Sequence, residues 1–188
     1  MAISPLNEQI RRIILSGSIK EETSAMFLEQ ITALEYSDIT KPISIYIDTY
    51  GGSVDAAILM YDAMRSCSCP VKTFGVGKVM SAGILVLAAG DKGSRYVTPN
   101  TRLMIHQVSG GAFGKADELQ TAIEEVHSLQ NTYIELLARH TNKNKSEILK
   151  DIKADKYMSA IEAVDYGIVD YIIAPRKDLA AGKTKKKG

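Results

Sequence analysis

The sequence predicts an α/β domain in which much of the sheet is parallel. Two observations carry this. Short β-branched runs with period-two alternation are separated by segments whose apolar residues recur every three or four positions. The stretch from Ser81 to Ala89 is apolar on every side, as a helix buried inside a layered fold must be.

Taken in order, residues 9–16 read as a strand. Residues 21–36 read as a helix, with Phe27, Leu28, Ile31 and Leu34 on one face. Ile43 to Ile47 alternates as a strand and is broken by Gly51-Gly52-Ser53, after which residues 54–65 form a helix. A strand over 70–76 ends at Gly75 and Gly77. The buried helix that follows begins at Ser81, a favoured capping residue, and closes at Gly90. Tyr96-Val97 and Leu103-Met104-Ile105 are short strands split by the turn Thr98-Pro99-Asn100. Residues 115–139 carry Leu119, Ile123, Val126, Leu129, Tyr133, Leu136 and Leu137 at helical spacing, which predicts one long amphipathic helix. A short helix over 146–153 and a strand over 168–173 complete the domain, expected to span 1–175.

The whole chain has 188 residues, enough for one domain with a sizeable core. With 45% hydrophobic and 24% charged residues it is globular and not disordered. Residues 176–188 hold six Lys/Arg and one Asp, or +5; the total of +1 leaves −4 for the rest. That acidic body argues against nucleic-acid binding. The tail 176–188 is expected to be a basic, solvated terminus. Two cysteines, Cys67 and Cys69, make no disulfide framework, which fits a reducing compartment. No apolar run precedes Arg11-Arg12, so no signal peptide is expected, and the apolar run Ile84–Ala89 is far too short to span a bilayer. A cytoplasmic protein without membrane attachment is the expectation.

Ser81 is the first residue with chemical promise. A serine hydroxyl needs a base to take its proton and donors to receive an oxyanion. At the start of a buried helix the following N–H groups are unpaired, and the Gly51-Gly52 turn lets a second backbone N–H approach. A plain capping serine accounts for the same placement. Among the three histidines, His127 and His140 are thirteen residues apart on one helix, about 220° of rotation, and cannot share a metal. His106 ends a short strand before the Gly110-Gly111 loop, where α/β folds place functional groups. Asp151, Asp155 and Asp165 are each available to orient an imidazole, and composition does not choose among them.

Four groups of residues now matter together: Tyr46-Ile47-Asp48-Thr49-Tyr50-Gly51-Gly52-Ser53-Val54; Val79-Met80-Ser81-Ala82-Gly83; Met104-Ile105-His106-Gln107 with Gly110-Gly111; and Asp155-Lys156-Tyr157-Met158-Ser159-Ala160 followed by 162–170. In this order and spacing the chain resembles the ClpP family of caseinolytic proteases over about residues 8–173. The resemblance implies the ClpP/crotonase-like fold, with repeated β-β-α units and a protruding helix at about 115–140. It implies a serine endopeptidase acting on unfolded proteins and peptides, with Ser81 as nucleophile, His106 as base and Asp155 as acid. The oxyanion donors would be the N–H groups of Gly52 and Ala82. No metal or cofactor is implied. Seven-membered rings, single or stacked in pairs, and an ATP-driven AAA+ unfoldase are the implied partners.

The chain departs from the family pattern in places. Thr49-Tyr50 stands for the usual Ser-Pro before the two glycines, and Ser81-Ala82-Gly83-Ile84 for Ser-Met-Gly-Ala. Ala154 stands for an arginine that helps join two rings. Ser44 and Ser66 stand for aromatic residues of the unfoldase groove, while Tyr46 is kept, so weak docking of a standard Clp ATPase is expected. The chain begins close to the family's mature start, so no long propeptide is expected. Three rivals share parts of this pattern: a signal-peptide-peptidase-like enzyme using a Ser–Lys pair, with Lys78 three residues before Ser81; a crotonase-type acyl-CoA enzyme; and a non-catalytic ring subunit.

Overall fold

The computed structural model describes residues 9–173; the basic tail 176–188 and the outermost part of the 1–175 span lie outside the described residues. Seven strands and six helices follow one another as β1 (Arg12–Ile19), α1 (Glu21–Ser37), β2 (Ile43–Gly52), α2 (Val54–Ser66), β3 (Val71–Met80), α3 (Ala82–Ala88), β4 (Arg95–Val97), β5 (Arg102–Ile105), α4 (Ala116–His140), α5 (Lys145–Ile152), β6 (Lys156–Met158), α6 (Ala160–Tyr166) and β7 (Tyr171–Ile172). The sheet runs β1-β2-β3-β4-β7, and every pair along that path is parallel. The α/β reading with parallel pairing therefore holds. Parallel strands are buried on at least one face by their crossover helices, and Ile43, Ile45 and Ile47 of β2 are fully buried.

Two strands are longer than the sequence pattern suggests. β3 does not end at Gly75 and Gly77 but runs on to Met80. Gly77, at φ +70, sits where the pairing with β2 shifts register from Ile47↔Gly75 to Thr49↔Val79. The glycine makes a bulge, which bends a strand without ending it. The first half of β3 then pairs with β4 and the second half, Lys78 to Met80, with β5. Likewise β2 continues through Gly51 and Gly52, which pair with Ser18 and Ile19 of β1. β1 itself lies three residues later than expected, and the closing strand is only Tyr171-Ile172. The β-β-α step of the implied fold is plainest in β4-β5-α4.

The all-apolar segment is α3, in which every residue is buried. The long amphipathic segment is α4, but only its C-terminal half packs on the body. Tyr133, Ile134, Leu136 and Leu137 are its buried residues, whereas the turns from Ala116 to Gln130 contain none. The helix protrudes as expected. Its His140 packs back on α2, 2.8 Å from the Tyr61 hydroxyl, and His127 is exposed on the protruding part.

One face of the sheet carries a row of rings. Tyr46, Phe74, Tyr96 and Tyr171 sit in register on four adjacent strands, with centroids 4.7, 5.0 and 5.7 Å apart, and the Arg12 guanidinium lies 4.6 Å over Tyr46. Ser44 shares that face of β2. Sequence reading counts Tyr46 alone here, because the other three rings come from distant parts of the chain. The surface is more aromatic than the serines at 44 and 66 suggest.

Candidate active site

Three chain segments converge on Ser81. The second half of β3 delivers it, and its N–H still donates to the Met104 carbonyl of β5 at 2.8 Å, so the chain is held as strand up to that point. The next residue begins α3. Turning from strand to helix within one residue puts Ser81 at φ 54, ψ −129. A non-glycine residue in this region costs about 1–3 kcal/mol and persists only where its surroundings impose it. Here the pairing to Met104 and the buried α3 impose it. The Tyr133 hydroxyl donates to the Ser81 carbonyl at 3.2 Å and braces the turn from α4.

The turn decides between two readings of the serine. Ser81 makes no side-chain capping bond to α3. Its Oγ lies instead 2.7 Å from Nε2 of His106, which follows β5 directly. The capping explanation fails, and the hydroxyl is committed to an imidazole.

The glycine turn at the end of β2 lies against the same residue. A Cβ placed on Gly51 would come 2.7 Å from the Ser81 Cβ and 3.1 Å from the Ala82 nitrogen. Thr49 fixes this turn: its buried hydroxyl donates to the Gly17 carbonyl and accepts from the Gly51 N–H at 2.9 Å. The threonine hydroxyl thus ties the glycine turn to β1 at Gly17. Gly83 has no room for a side chain, because a Cβ would meet the Thr49 methyl at 2.4 Å. Gly52 and Ala82 both line a cleft of about 390 Å³ with Ser81, His106, Tyr50 and Asp55.

The three candidate aspartates separate in the structure. Asp151 accepts from Tyr166 at 3.0 Å and from Lys156 at 3.1 Å. Asp165 lies exposed on α6. Asp155 precedes β6, which pairs antiparallel with β5 through Ile105↔Lys156. One further step of that register sets His106 opposite Asp155. Asp155 is exposed, has a left-handed backbone (φ 47), and makes no hydrogen bond to the His106 ring. The structure therefore brings Ser81, His106, Gly52 and Ala82 together and leaves Asp155 alongside without closing the contact.

Lys78 is not arranged as a base for Ser81. Its ammonium donates to Asp48 at 2.8 Å and lies 4.6 Å over the Tyr50 ring, and the Asp48 hydrogen bond raises its pKa. A base must be able to lose its proton, and this lysine is held protonated. Among the described residues no group of three or more His, Cys, Asp or Glu side chains is placed to hold a metal, and no helix is long and apolar enough to cross a membrane.

The family model for Clp protease matches residues 3–176. The chain belongs to the Clp protease family. That membership makes it a peptidase of the ClpP type, and the mixed α/β fold with its mostly parallel sheet is consistent with it. Within a Clp protease, the replacement of proline by Tyr50 changes the rim of the cleft: the ring is 71% exposed there. Sequence reasoning missed Tyr133, which it places in an apolar stripe as core; its hydroxyl was the only signal of a second task. It also missed Asp55, the one Asp, Glu, Lys or Arg among the described residues that line the cleft.

Proposed function

We propose that the protein is a serine endopeptidase in which Ser81, His106 and Asp155 form the triad. The observation that carries this is the 2.7 Å contact between Ser81 Oγ and His106 Nε2 at a strained strand-to-helix turn. His106 takes the hydroxyl proton as Oγ attacks the peptide carbonyl carbon. The carbonyl oxygen becomes an oxyanion, received by the N–H groups of Gly52 and Ala82. His106 then returns the proton to the leaving amine, the C–N bond breaks, and the acyl-enzyme ester remains. Water, deprotonated by the same imidazole, hydrolyses that ester and frees Ser81. Asp155, set opposite His106 by the β5–β6 register, orients and compensates the imidazolium once its carboxylate reaches the ring.

Homo-oligomeric rings of seven, single or double, and an AAA+ unfoldase partner belong to the same reading. The partly exposed apolar stripe Leu119, Ile123 and Val126 on the protruding half of α4 supports assembly, and the row Tyr46-Phe74-Tyr96-Tyr171 supports a partner that buries apolar side chains on the sheet face. A fluorophosphonate probe with peptide mapping tests the chemistry: Ser81 is the expected single site. Labelling that persists in Ser81→Ala, or a wild type that cleaves peptides yet takes no label, overturns it. Sedimentation in the same preparation tests the ring, which a 20.5 kDa monomer would remove. Tyr46→Ser and Phe74→Ser test the row, and unchanged binding of a Clp ATPase would remove it as a docking face.

Asp55 gives the cleft a preference. It lies in the first turn of α2, where a carboxylate also complements the helix dipole, but it makes no hydrogen bond or ion pair among the described residues. Peptides with Lys or Arg near the scissile bond should be cleaved about 3–10-fold faster than neutral isosteres, the yield of a partly solvated ion pair. Asp55→Asn should erase the difference. Equal rates in the wild type would show that Asp55 serves only its helix.

A further inference from the structure

We propose that a cationic cleft at the opposite end of α2 from Gly52 binds a small oxyanion of the phosphate class. The C-terminal ends of α2, α3 and α4 meet there. The cleft, about 160 Å³, is lined by Arg65, Lys92, Arg95, Arg139, His140 and Asn142 among others, and it shares Lys92, Arg95 and Asn142 with a neighbouring cleft of about 370 Å³. A volume of 160 Å³ accommodates roughly five waters, enough for a tetrahedral oxyanion with part of its hydration.

Basic residues at helix C-termini have an ordinary explanation, since they neutralise the dipole and bond the last carbonyls. Two of these residues fill that role. Arg65 donates to the Ala89 carbonyl at 3.4 Å and to Asp91 at 3.2 Å. Arg95, almost wholly buried, donates to the His140 carbonyl at 2.7 Å and grips Asp170 through Nε and Nη2 at 3.0 and 2.6 Å. The caps and both carboxylates are thereby used. Arg139 and Lys92 also line the cleft, and neither makes a hydrogen bond or ion pair among the described residues. Glu135, one turn before Arg139, is bonded to Lys145.

His140 reports the field that results. Its imidazole is half-buried and faces Tyr61 and Arg65 of α2, Arg95 of β4 and Arg139 of its own helix, with Asp91 and Asp170 held by two of those arginines. Burial first, and then Arg65, Arg95 and Arg139, push its pKa down to about 4. A bound anion offsets the three guanidiniums and must raise that pKa; by linkage, protonation of His140 must tighten the anion. Donors reach the cleft from α2, α4 and the turn before β4, which suits a tetrahedral oxyanion better than a planar carboxylate.

The test is an NMR titration of the three histidine rings in the full chain at constant ionic strength, with sulfate, inorganic phosphate and O-phosphoserine as probes and chloride as control. Sulfate keeps its charge across the range in which His140 titrates. The expected result is a saturable shift at His140 at millimolar sulfate or phosphate, a His140 pKa higher by about one pH unit, and no change at His106. The variant Lys92→Gln/Arg139→Gln should need about tenfold more anion, because two cationic donors are gone. Both positions are exposed and bonded to nothing described, so the fold should be unaffected. Tighter binding of O-phosphoserine assigns the cleft to a phosphorylated partner, and tighter binding of the inorganic ion assigns it to the free ion; both support the site. A His140 signal that answers chloride equally, or a variant that binds as the wild type does, overturns it. The measurement needs no peptidase activity and stands apart from the reading of Ser81.

Discussion

Ser81→Ala and His106→Ala should each lower peptide cleavage by about 10³-fold or more, and the double variant should be no worse than either alone. The reason lies in the 2.7 Å contact. A serine hydroxyl without a base is a poor nucleophile, and an imidazole without the hydroxyl has no proton to take from it. In the proposed mechanism the two groups act in one step, so removing either removes the whole step. What remains in each variant is binding and the backbone donors, which are common to all three proteins. The effect should appear in turnover with the melting temperature nearly unchanged, because Ser81 Oγ makes no structural cap and His106 is only half-buried. His127→Ala, on the exposed part of α4, should retain full activity and serves as the control for histidine loss. Losses that multiply in the double variant would mean that the two residues serve different steps.

Much of the fold was legible because local periodicity reports burial. The helices over 21–36, 54–65 and 115–139 and the strand starting at Ile43 are found within one residue at most of their recognised ends. What was not legible depends on partners distant in the chain. Gly75 and Gly77 read as a strand end, yet β3 continues because Lys78, Val79 and Met80 find a second partner in β5. That continuation sets the backbone of Ser81 and turns a serine that looks like a cap into one that faces an imidazole. The aromatic row has the same origin: Tyr46, Phe74, Tyr96 and Tyr171 are evenly matched only after four parallel strands are in register. β6 and α6 went unread as elements because three residues of strand and two turns of helix carry too little period. The site residues were visible through motifs, since Gly51, Gly52, Ser81 and His106 each stand in a short sequence whose spacing is itself distinctive. Among Asp151, Asp155 and Asp165 the residues alone do not choose; the resemblance points to Asp155, and the β5–β6 register sets that residue opposite His106 without a contact between them.

Gly52→Ala should unfold or strongly destabilise the protein, by about 3 kcal/mol or more, and abolish cleavage in whatever folds. Gly52 has φ +150, and a Cβ there would come 2.1 Å from the Ile19 carbonyl oxygen and 3.0 Å from its carbon and nitrogen. All three are backbone atoms of the last residue of β1, so no side chain can swing aside. Either β1 or β2 has to move, and the same stretch of β1 accepts the Ser53 N–H at 2.9 Å, just before α2. A displaced Gly52 would also take its N–H out of the proposed oxyanion site, and losing one oxyanion donor costs about 10²–10³ in turnover even where the fold survives. Gly17→Ala is the matched comparison. Gly17 is also left-handed, at φ +87, but a Cβ there meets nothing within 4 Å, so only backbone strain of about 1–2 kcal/mol applies. Thermal or urea unfolding of the two variants, with peptide turnover measured on the folded fraction, separates the effects. A Gly52→Ala protein as stable as Gly17→Ala would mean that β1 yields easily at Ile19. Full turnover in that protein would remove Gly52 from the oxyanion site while leaving the Ser81–His106 pair untouched.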